Sequence, residues 1–408
     1  LSLQPVNEEV LAYCRKWRGP VVLASASDLS LVEALAAQYG FAGRHFGTTA
    51  GANLKGRKKA EQLVDEYGEQ GFVYIGNAVS DLKVWRHAAK VVAVSPNKIL
   101  LRKIEALGKP VTTLRASANP KKLLRGARPH QWVKNLLLLL PTIANHDSDL
   151  GSLWTLLLAF LAFSFAASSI YYVNDLLDLE ADRKHDTKRF RALASGAVSI
   201  PLALAFTLAL MATSISLSAV VGPAFLAVVL IYMACSLAYS FKIKRLRWVD
   251  IIFLAGLYTL RVVAGGLAVG IGISGWLVSF VFAVFFALGA VKRMTELAKA
   301  KTEGRVPGRG YAKSDLDDLL NIAVTAAVGA ILIFGIYTYS DTARALYPNL
   351  WELRLAGGTV AIWLSRMIWL GYKGRQDYDP IVFAATDKIG LGIAATGFLL
   401  LLHAAAAI

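Results

Sequence analysis

The stretch NDLLDLEAD, residues 174–182, places four acidic side chains and one amide at the end of an apolar run of membrane-spanning length. On one continuous helix, Asn174, Asp178 and Asp182 recur every four residues and share a face, and Asp175 lies beside them. The carboxyl-terminal end of a helix disfavours anions, so this crowding indicates a function. Oxygen ligands at this density suit Mg²⁺, which takes one or two carboxylates together with phosphate oxygens and water. We predict that the amide of Asn174 and the three aspartates form a catalytic metal site. The alternative is a helix end that is merely solvated.

Basic residues follow the acidic stretch directly. Lys184, Lys188 and Arg191 come shortly after Asp182. Lysine and arginine donate strong, charge-assisted hydrogen bonds to phosphate oxygens. Metal ligands followed by phosphate-binding cations are what a complex of Mg²⁺ with a diphosphate substrate requires. We therefore predict that the acids hold the metal and that these three cations bind the diphosphate.

The composition changes along the 408-residue chain, of which 56% is hydrophobic. Residues 1–118 have the mixed charge of a soluble domain, residues 119–130 form a basic linker, and residues 131–408 are dominated by apolar runs. A membrane span needs about 20 apolar residues. We predict an all-α membrane domain with nine transmembrane helices, at residues 131–146, 153–176, 201–219, 223–241, 249–271, 275–297, 316–338, 354–371 and 388–407.

Lysine and arginine alternate between the loops of this membrane domain. They crowd the loops after the second, fourth, sixth and eighth runs and are nearly absent from the intervening loops. By the positive-inside rule, the soluble domain and the basic loops lie in the cytoplasm, and the carboxyl terminus lies outside. The rule also accounts for the net charge of +16. We therefore predict a multi-pass protein of the bacterial cytoplasmic membrane and no nucleic-acid partner.

A second polar group surrounds the start of the fifth apolar run. Tyr239 and Lys242 precede this run. Asp250 begins it, and Arg261 follows about three helical turns later on the same face. An arginine inside a span is costly and indicates a functional site by default. We predict a catalytic role for Asp250 and substrate binding by the other three residues. Topogenic charge and a structural Asp250–Arg261 ion pair are the alternatives.

A third polar group opens the membrane domain, where Lys134 and Asn135 enter the first apolar run. Side chains at such positions either reach back to the membrane interface or face a polar cavity inside the protein. We favour the cavity and predict that both residues bind substrate.

Residues 125–408 resemble the UbiA superfamily of membrane transferases. The stretch 174–182 matches the first aspartate-rich motif of that family without a gap. The resemblance implies nine helices around a central cavity, with Mg²⁺ and a diphosphate bound under a cytoplasmic cap. The aromatic prenyltransferases of the family usually carry a second aspartate-rich motif. Residues 239–250 instead hold a tyrosine, several basic residues and a single acid.

That departure, together with the stretches 128–135, 292–297 and Asp379-Pro380, resembles the decaprenyl-phosphate phosphoribosyltransferase branch. The resemblance implies Mg²⁺ as cofactor and two substrates, a polyprenyl phosphate and phosphoribosyl diphosphate. The metal would stabilise the departing diphosphate. Lys134, Lys242 or Arg261 would position the lipid phosphate.

The sequence is also compatible with two other functions. The first is transfer of an isoprenoid from a prenyl diphosphate to an aromatic or other lipophilic acceptor. The second is a non-catalytic binder or transporter of lipid phosphates. Dense acids at one membrane edge argue against a transporter, because transporters usually place their sites near the bilayer midplane.

Strands alternate with helices in the soluble domain. We predict strands at residues 20–27, 71–77 and 91–94 and helices at 30–39 and 59–67, which implies a parallel α/β sheet. The domain resembles a haloacid-dehalogenase-like phosphatase. The resemblance implies that Ser25 and Lys59 bind phosphate and that Asn77 and Asp81 are vestiges of an acidic metal loop. The first motif of that family, a strand with paired aspartates, is absent from this sequence. We therefore predict a domain that forms no phosphoenzyme and serves in docking or regulation.

Overall fold

The computed structural model describes residues 7–49, 53–94, 97–114, 120–146, 149–185, 187–300, 310–376 and 379–405. The chain forms two compact units. The α/β unit comprises Leu1–Gly126 and Asp175–Ala203, and the helical unit comprises Ala127–Asn174 and Leu204–Ile408. The acidic stretch 174–182 therefore begins where the chain passes from the helical unit into the α/β unit.

The α/β unit alternates helices and strands, as the sequence pattern predicts. Its elements are α1 (Glu8–Lys16), β1 (Ala24–Asp28), α2 (Leu29–Tyr39), β2 (Phe46–Thr48), α3 (Arg57–Tyr67), β3 (Val73–Gly76), α4 (Leu82–Trp85), β4 (Lys90–Val94), α5 (Lys98–Glu105) and β5 (Val111–Leu114). Each predicted strand and helix is present, although the first strand begins at Ala24 rather than at residue 20.

All strand pairs in the described part of this unit are parallel. β1 pairs with β2 in one sheet, and a second sheet has the order β3-β4-β5. Val91, Val92 and Ala93 of the central strand β4 are fully buried. Apolar residues on both faces are typical of a parallel strand that helices cover on both sides. The predicted parallel α/β arrangement is confirmed.

From residue 120 onward, the described residues are almost entirely helical. The helices are α6 (Pro120–Gly126), a 3₁₀ helix (Pro129–Leu139), α7 (Leu140–Ala144), α8 (Leu150–Leu177), α9 (Leu179–Lys184), α10 (Ile200–Val221), α11 (Pro223–Phe241), α12 (Val249–Val269), α13 (Gly275–Ala298), α14 (Leu316–Tyr337), α15 (Asp341–Leu346), α16 (Leu350–Tyr372), α17 (Pro380–Ala384) and α18 (Lys388–Ala404). Six helical segments in the described part are long and apolar enough to cross a membrane: α8, α10, α11, α12, α13 and Lys313–Tyr337.

The other three predicted spans fall on shorter or more polar helices. Residues 131–146 do not form one continuous α-helix, because a 3₁₀ helix precedes the five-residue α7. Pro141 lies in the first turn of α7, where a proline is tolerated because its missing N–H would have no helical partner. α18 has 17 residues, and α16 has 23 but carries Glu352, Arg354 and Arg366. These three stay predictions as spans.

A glycine of α12 lets the 3₁₀ helix approach closely. A Cβ on Gly265 would lie 2.0 Å from the carbonyl oxygen of Leu138. Only a residue without a side chain fits at that distance. The close contact helps to hold Lys134 and Asn135 in the protein interior, where they are 7% and 1% exposed. Both side chains are thus withdrawn from the surface of the protein, while their position in a substrate cavity stays a prediction.

α13 lies at the centre of the helical unit and packs against α12, α14 and α16. Its buried residues Phe285, Leu288 and Val291 belong to one apolar core that also includes Ile251 of α12. Because other helices surround α13, a charged residue on it is withdrawn from solvent. Arg293, 1% exposed, is such a residue.

Candidate active site

The acidic stretch is not one continuous helix. α8 ends at Leu177, and Asp178 separates it from α9 with φ −91° and ψ 9°. The prediction that Asn174, Asp178 and Asp182 line one helical face is therefore wrong. The helix dipole gives the physical reason, because anions are disfavoured at the end of α8 but favoured in the first turn of a new helix. Asp182 lies in the first turn of α9.

Two acids of the stretch converge on one cation. Asp175 and Asp182 accept hydrogen bonds from the same terminal nitrogen of Arg191, at 3.2 and 2.6 Å. The two acids are 4% and 2% exposed, whereas the Arg191 side chain is 30% exposed. The guanidinium nitrogen marks a point that both carboxylates reach. A divalent cation at such a point would be held by both.

This stretch fits a metal that arrives with its substrate. Within the described ranges, no group of three His, Cys, Asp or Glu side chains is close enough to hold a metal by itself. Mg²⁺ needs no such group, because one or two carboxylates, substrate phosphates and water usually suffice. The side-chain oxygen of Asn174 is buried and accepts no hydrogen bond from the described residues. An amide oxygen, like a carboxylate oxygen, is a hard ligand of the kind that Mg²⁺ prefers.

The remaining predicted residues of this segment lie nearer to solvent. Asp178 is half-buried between the two helices, and Lys184 and Lys188 are exposed. Exposed lysines on flexible stems reach a phosphate without a fixed geometry.

Asp250 lies at the start of α12 and is fully buried. Arg293 of α13 donates from Nε to its carboxylate at 2.6 Å, and Tyr311 donates its hydroxyl to the other carboxylate oxygen. Arg293 also donates to Glu296 and to the hydroxyl of Tyr239, each at 2.6 Å. Both oxygens of Asp250 are therefore engaged by protein donors.

Arg261 does not pair with Asp250, so the alternative of a structural ion pair between these two residues is wrong. Eleven residues of helix separate the two by about 16 Å along the axis, although they share a face. Arg261 donates instead to Asn135 at 3.0 Å, to the hydroxyl of Tyr232 at 2.9 Å and to the carbonyl oxygen of Leu257 at 2.7 Å. Its guanidinium lies 4.7 Å from the centre of the Tyr232 ring. It thus ties the 3₁₀ helix to α11 and α12.

A carboxylate between two lysines forms a third group. Lys134 is ion-paired with Asp379, and the Lys292 nitrogen lies 3.6 Å from the same carboxylate oxygen. Asp379 also caps α17 by accepting from the backbone N–H of Ile381 at 3.2 Å. Burial alone would raise the pKa of Asp379, but the two lysines hold this pKa well below its usual range. The group, two cations and one anion at neutral pH, carries a net positive charge.

Tyr239 and Lys242, the other two residues predicted near the fifth apolar run, differ in their exposure to solvent. Tyr239, near the end of α11, is half-buried and joins the group of Arg293. Lys242 follows the last residue of α11 and is exposed.

Three of the four residues predicted in the soluble domain belong to one hydrogen-bonded group that includes Tyr74. Lys59 donates to the Tyr74 hydroxyl at 3.2 Å, and that hydroxyl donates to Asp81 at 3.4 Å. Asp81 also accepts from the backbone N–H of Asn77 at 3.0 Å. Burial lowers the pKa of Lys59, and nearby Asp81 acts in the opposite direction. The fourth residue, Ser25, hydrogen-bonds within its own strand.

Sequence reasoning assigned no role to Lys292, Arg293 or Asp379. A usable signal existed for Arg293, because a charged residue in an apolar run is a functional or structural site by default. Asp379 had no such signal. Its partner Lys134 is 245 positions away in the chain, a pairing that only the packing of the helices reveals.

The description "UbiA prenyltransferase family" belongs to a family model that matches residues 136–388, well over half of the chain. The chain belongs to the UbiA prenyltransferase family. It is a transferase of the UbiA superfamily, and its apolar helices indicate an integral membrane protein.

Two curated relatives of this UbiA chain are informative. The uncharacterized protein y4nM of Sinorhizobium fredii is 34% identical over 393 residues, which cover 94% of this chain and 76% of the relative. The decaprenyl-phosphate phosphoribosyltransferase of Corynebacterium glutamicum is 37% identical over 223 residues, which cover 52% of this chain and 67% of the relative.

A solved structure shares the fold of this UbiA chain. It is a UbiA homolog from Archaeoglobus fulgidus bound to GPP and Mg²⁺. The match has a TM-score of 0.51 at 17% identity and covers 69% of this chain and 99% of that chain. The similarity confirms a UbiA-like fold for the helical part of the chain.

Proposed function

We propose that this UbiA chain transfers the phosphoribosyl group from phosphoribosyl diphosphate to a polyprenyl phosphate, with Mg²⁺ as cofactor and diphosphate as the second product. The bond from ribose C1 to the diphosphate oxygen breaks, and an oxygen of the lipid phosphate forms the new bond to C1. No nucleophilic side chain is required, because positioning and electrostatic stabilisation accomplish such transfers. The relatives named decaprenyl-phosphate phosphoribosyltransferase support the proposal.

The observation that carries the proposal is that the carboxylate of Asp250 is buried and fully occupied by protein hydrogen-bond donors. A prenyltransferase with two aspartate-rich motifs needs carboxylates in the second motif that face the substrate's metal. Residues 239–250 contain Asp250 as their single acid. Its two oxygens are engaged by Arg293 and Tyr311 in a fully buried setting. This arrangement favours a sugar diphosphate over a prenyl diphosphate as the donor, with the lipid as the acceptor.

The acidic stretch would bind the diphosphate donor. Mg²⁺, when bound, would neutralise the charge that develops on the departing diphosphate. Asp175 and Asp182 would hold it, with Asn174 and Asp178 as the further ligands of the same stretch. Arg191, which bonds both carboxylates, would exchange one of those bonds for a diphosphate oxygen. The exposed Lys184 and Lys188 would bind the outer phosphate oxygens.

The two lysines around Asp379 would bind the lipid phosphate. Lys134 and Lys292 both carry donors directed at one carboxylate. A phosphate monoester presents the same kind of oxygen acceptor with more negative charge, so it would compete for these donors. Arg261 would act indirectly, because its bond to Asn135 fixes the 3₁₀ helix that carries Lys134. Exposed Lys242 would meet a lipid phosphate only at the surface.

Asp250 would act as a positioning residue in this scheme. Its bond to Arg293 orients the guanidinium that also holds Tyr239. Loss of the carboxylate would release both side chains. The role predicted from the sequence, direct catalysis, would instead require Asp250 to leave Arg293.

One assay tests the proposed reaction. Purified protein is incubated with Mg²⁺, phosphoribosyl diphosphate labelled in the ribose, and a polyprenyl phosphate. Label should enter the lipid phase, and this transfer should stop with a chelator and return with Mg²⁺. No labelled lipid, together with prenylation of an aromatic acid from a prenyl diphosphate, would overturn the proposal in favour of the prenyltransferase alternative.

We also propose a domain organisation and a membrane orientation for this chain. Residues 1–118 would form a haloacid-dehalogenase-like domain that docks or regulates, followed by the linker 119–130 and the transferase domain 131–408. The positive-inside rule would place the α/β part in the cytoplasm and the carboxyl terminus outside. Turnover of p-nitrophenyl phosphate by the purified chain would contradict the non-catalytic role of the first domain. Reporter fusions at both termini test the orientation.

A further inference from the structure

Tyr258 of α12 lies beside the lysine group, which consists of Lys134, Lys292 and Asp379. The Tyr258 side chain is 8% exposed and stacks on Phe285 of α13, with 4.6 Å between the ring centres and 20° between the ring planes. Aromatic pairs favour stacked arrangements at such distances. The ring of Tyr258 is therefore held in one orientation by the apolar core, and its hydroxyl has a fixed place.

Two buried cations lie close to the ring of Tyr258. The Lys134 nitrogen is 5.8 Å and the guanidinium carbon of Arg261 is 5.4 Å from the ring centre. A cation within about 6 Å of a ring centre is attracted by the electrons of the ring, and more strongly where water is excluded. Lys134 and Arg261 are only 7% and 5% exposed. Lys134 is thus attracted to the ring as well as to Asp379, and it keeps the contact with the ring when a ligand displaces the carboxylate.

The hydroxyl of Tyr258 belongs to the same polar site. It interacts electrostatically with Asp379 and with Lys134. Within the ranges that the structure describes, however, it makes no hydrogen bond. Buried polar groups are nearly always hydrogen-bonded, so a buried hydroxyl without a partner in the protein requires an explanation. A ligand of the lysine group provides one, because it would bring acceptor oxygens to this hydroxyl.

We propose that Tyr258 binds the phosphate of the lipid acceptor and selects a phosphate monoester as the accepting group. The Tyr258 hydroxyl donates a hydrogen bond to one nonbridging phosphate oxygen, while Lys134 and Lys292 bind the other two. The phosphate takes the place of the Asp379 carboxylate between the lysines. The inference rests on the proposed function, which assigns the lipid phosphate to these two lysines.

The donors of this site match a phosphate monoester in number and charge. Such a phosphate has three nonbridging oxygens, and the site offers two cations and one hydroxyl. Hydrogen bonds between charged partners are the strongest of their kind. A lipid alcohol has a single uncharged oxygen and cannot replace the Asp379 carboxylate between Lys134 and Lys292. A site built to hydrogen-bond a ligand discriminates strongly against an analogue that lacks the bonded groups. The lipid alcohol is therefore a poor ligand of this site.

The substitution Tyr258→Phe removes the hydroxyl and keeps the stacked ring. The kcat/KM for polyprenyl phosphate should fall about 10-fold, mainly through the KM of the lipid, because a hydrogen bond to a charged acceptor is lost. The KM of phosphoribosyl diphosphate should stay near that of the wild type. The Tm of the ligand-free protein in detergent should not fall, since the hydroxyl bonds no described residue.

A purely structural role of Tyr258 has a different signature. Tyr258→Phe would then lower the Tm and leave the ratio of the two KM values unchanged, and this result would overturn the proposal. Tyr339→Phe is the matched control, because it removes the same hydroxyl from a side chain that is 63% exposed. Its Tm and both of its KM values should equal those of the wild type.

Binding without the sugar donor separates this inference from the proposed reaction. Thermal unfolding in detergent is measured at increasing concentrations of decaprenyl phosphate or decaprenol, since a ligand of the folded state raises the Tm. The phosphate should raise the Tm of the wild type more than the alcohol does. Tyr258→Phe should need about 10-fold more decaprenyl phosphate for the same rise, with an unchanged response to decaprenol.

This measurement gives distinct outcomes for the two claims. The expected shift in a chain that transfers no ribose to the lipid would contradict the proposed reaction and still support Tyr258 as a phosphate-binding residue. Equal responses of Tyr258→Phe and the wild type to decaprenyl phosphate would overturn the inference, whether or not the chain transfers ribose.

Discussion

Two polar groups of this UbiA chain are opposite in charge. In the acidic stretch and its loop, the carboxylates of Asp175 and Asp182 meet at one guanidinium, that of Arg191. In the helical unit, Lys134 and Lys292 meet at one carboxylate. The first geometry suits a metal cation and the second suits a phosphate ester. A reaction between a metal-bound diphosphate and a lipid phosphate needs one group of each kind.

The largest effect is expected from the acidic group. Asp175→Asn should lower kcat/KM for phosphoribosyl transfer by at least about 1,000-fold, because it would remove a carboxylate that the proposed function assigns to the metal at the leaving group. Initial rates at varied Mg²⁺ concentration measure the loss. Glu180→Gln is the matched control, since Glu180 belongs to the same stretch but is exposed. Equal activity of Asp175→Asn and the wild type would remove the metal site from this stretch.

Unlike the acidic group and the lysine group, the buried group around Arg293 is assigned no substrate. Its loss should therefore affect the stability of the protein most. Arg293→Met leaves Asp250 charged and fully buried without its cation. Removing one partner of a buried ion pair typically costs about 3–5 kcal/mol. Thermal unfolding in detergent should show a clearly lower Tm, and adding Asp250→Leu should restore much of it. A single variant with wild-type Tm would show that Arg293 is no structural partner of Asp250.

The lysine group should affect the lipid substrate selectively. Lys134→Met should lower kcat/KM for polyprenyl phosphate by about 30-fold, as expected when one cation of a desolvated pair is lost. The change should appear mainly in the KM of the lipid, while the KM of phosphoribosyl diphosphate stays near that of the wild type. Lys388→Met, at an exposed lysine, is the control. A rise in the KM of the sugar donor instead would reverse the assignment of the two groups.

The smallest effect concerns the pH dependence of Asp379. Its folded pKa lies below its unfolded value of about 3.9, so its contribution to stability is fully present above that value. The contribution is lost only as the pH falls through the lower, folded pKa. The Tm difference between wild type and Asp379→Asn should therefore be constant from about pH 5 to pH 8. A difference that already vanishes between pH 7 and pH 5 would contradict a depressed pKa.

Local patterns predicted much of the architecture. Apolar run length located the six candidate spans, and alternating helices and strands gave the parallel α/β unit, because both depend on neighbouring residues. The acidic stretch was recognised for the same reason. Its break at Asp178 was not, since spacing alone treats a helix as continuous.

Side-chain pairs that are distant in the chain could not be predicted from the sequence. Arg293 reaches Asp250 and Tyr239 across 43 and 54 positions, and Lys134 reaches Asp379 across 245. Such pairs form only when helices pack, and helical spacing constrains faces within one helix only. The same limit explains why a shared face left an ion pair of Asp250 and Arg261 open as an alternative, although their actual partners lie on other helices.

A double-label experiment tests the central claim most directly. The protein receives Mg²⁺, a polyprenyl phosphate, and phosphoribosyl diphosphate carrying ¹⁴C in the ribose and ³²P in the diphosphate. The proposed reaction predicts that ¹⁴C enters the lipid phase while an equal amount of ³²P is released as diphosphate. If both labels remain together in the donor while a prenyl diphosphate is consumed in the presence of an aromatic acceptor, the phosphoribosyl transfer proposed for this chain is contradicted.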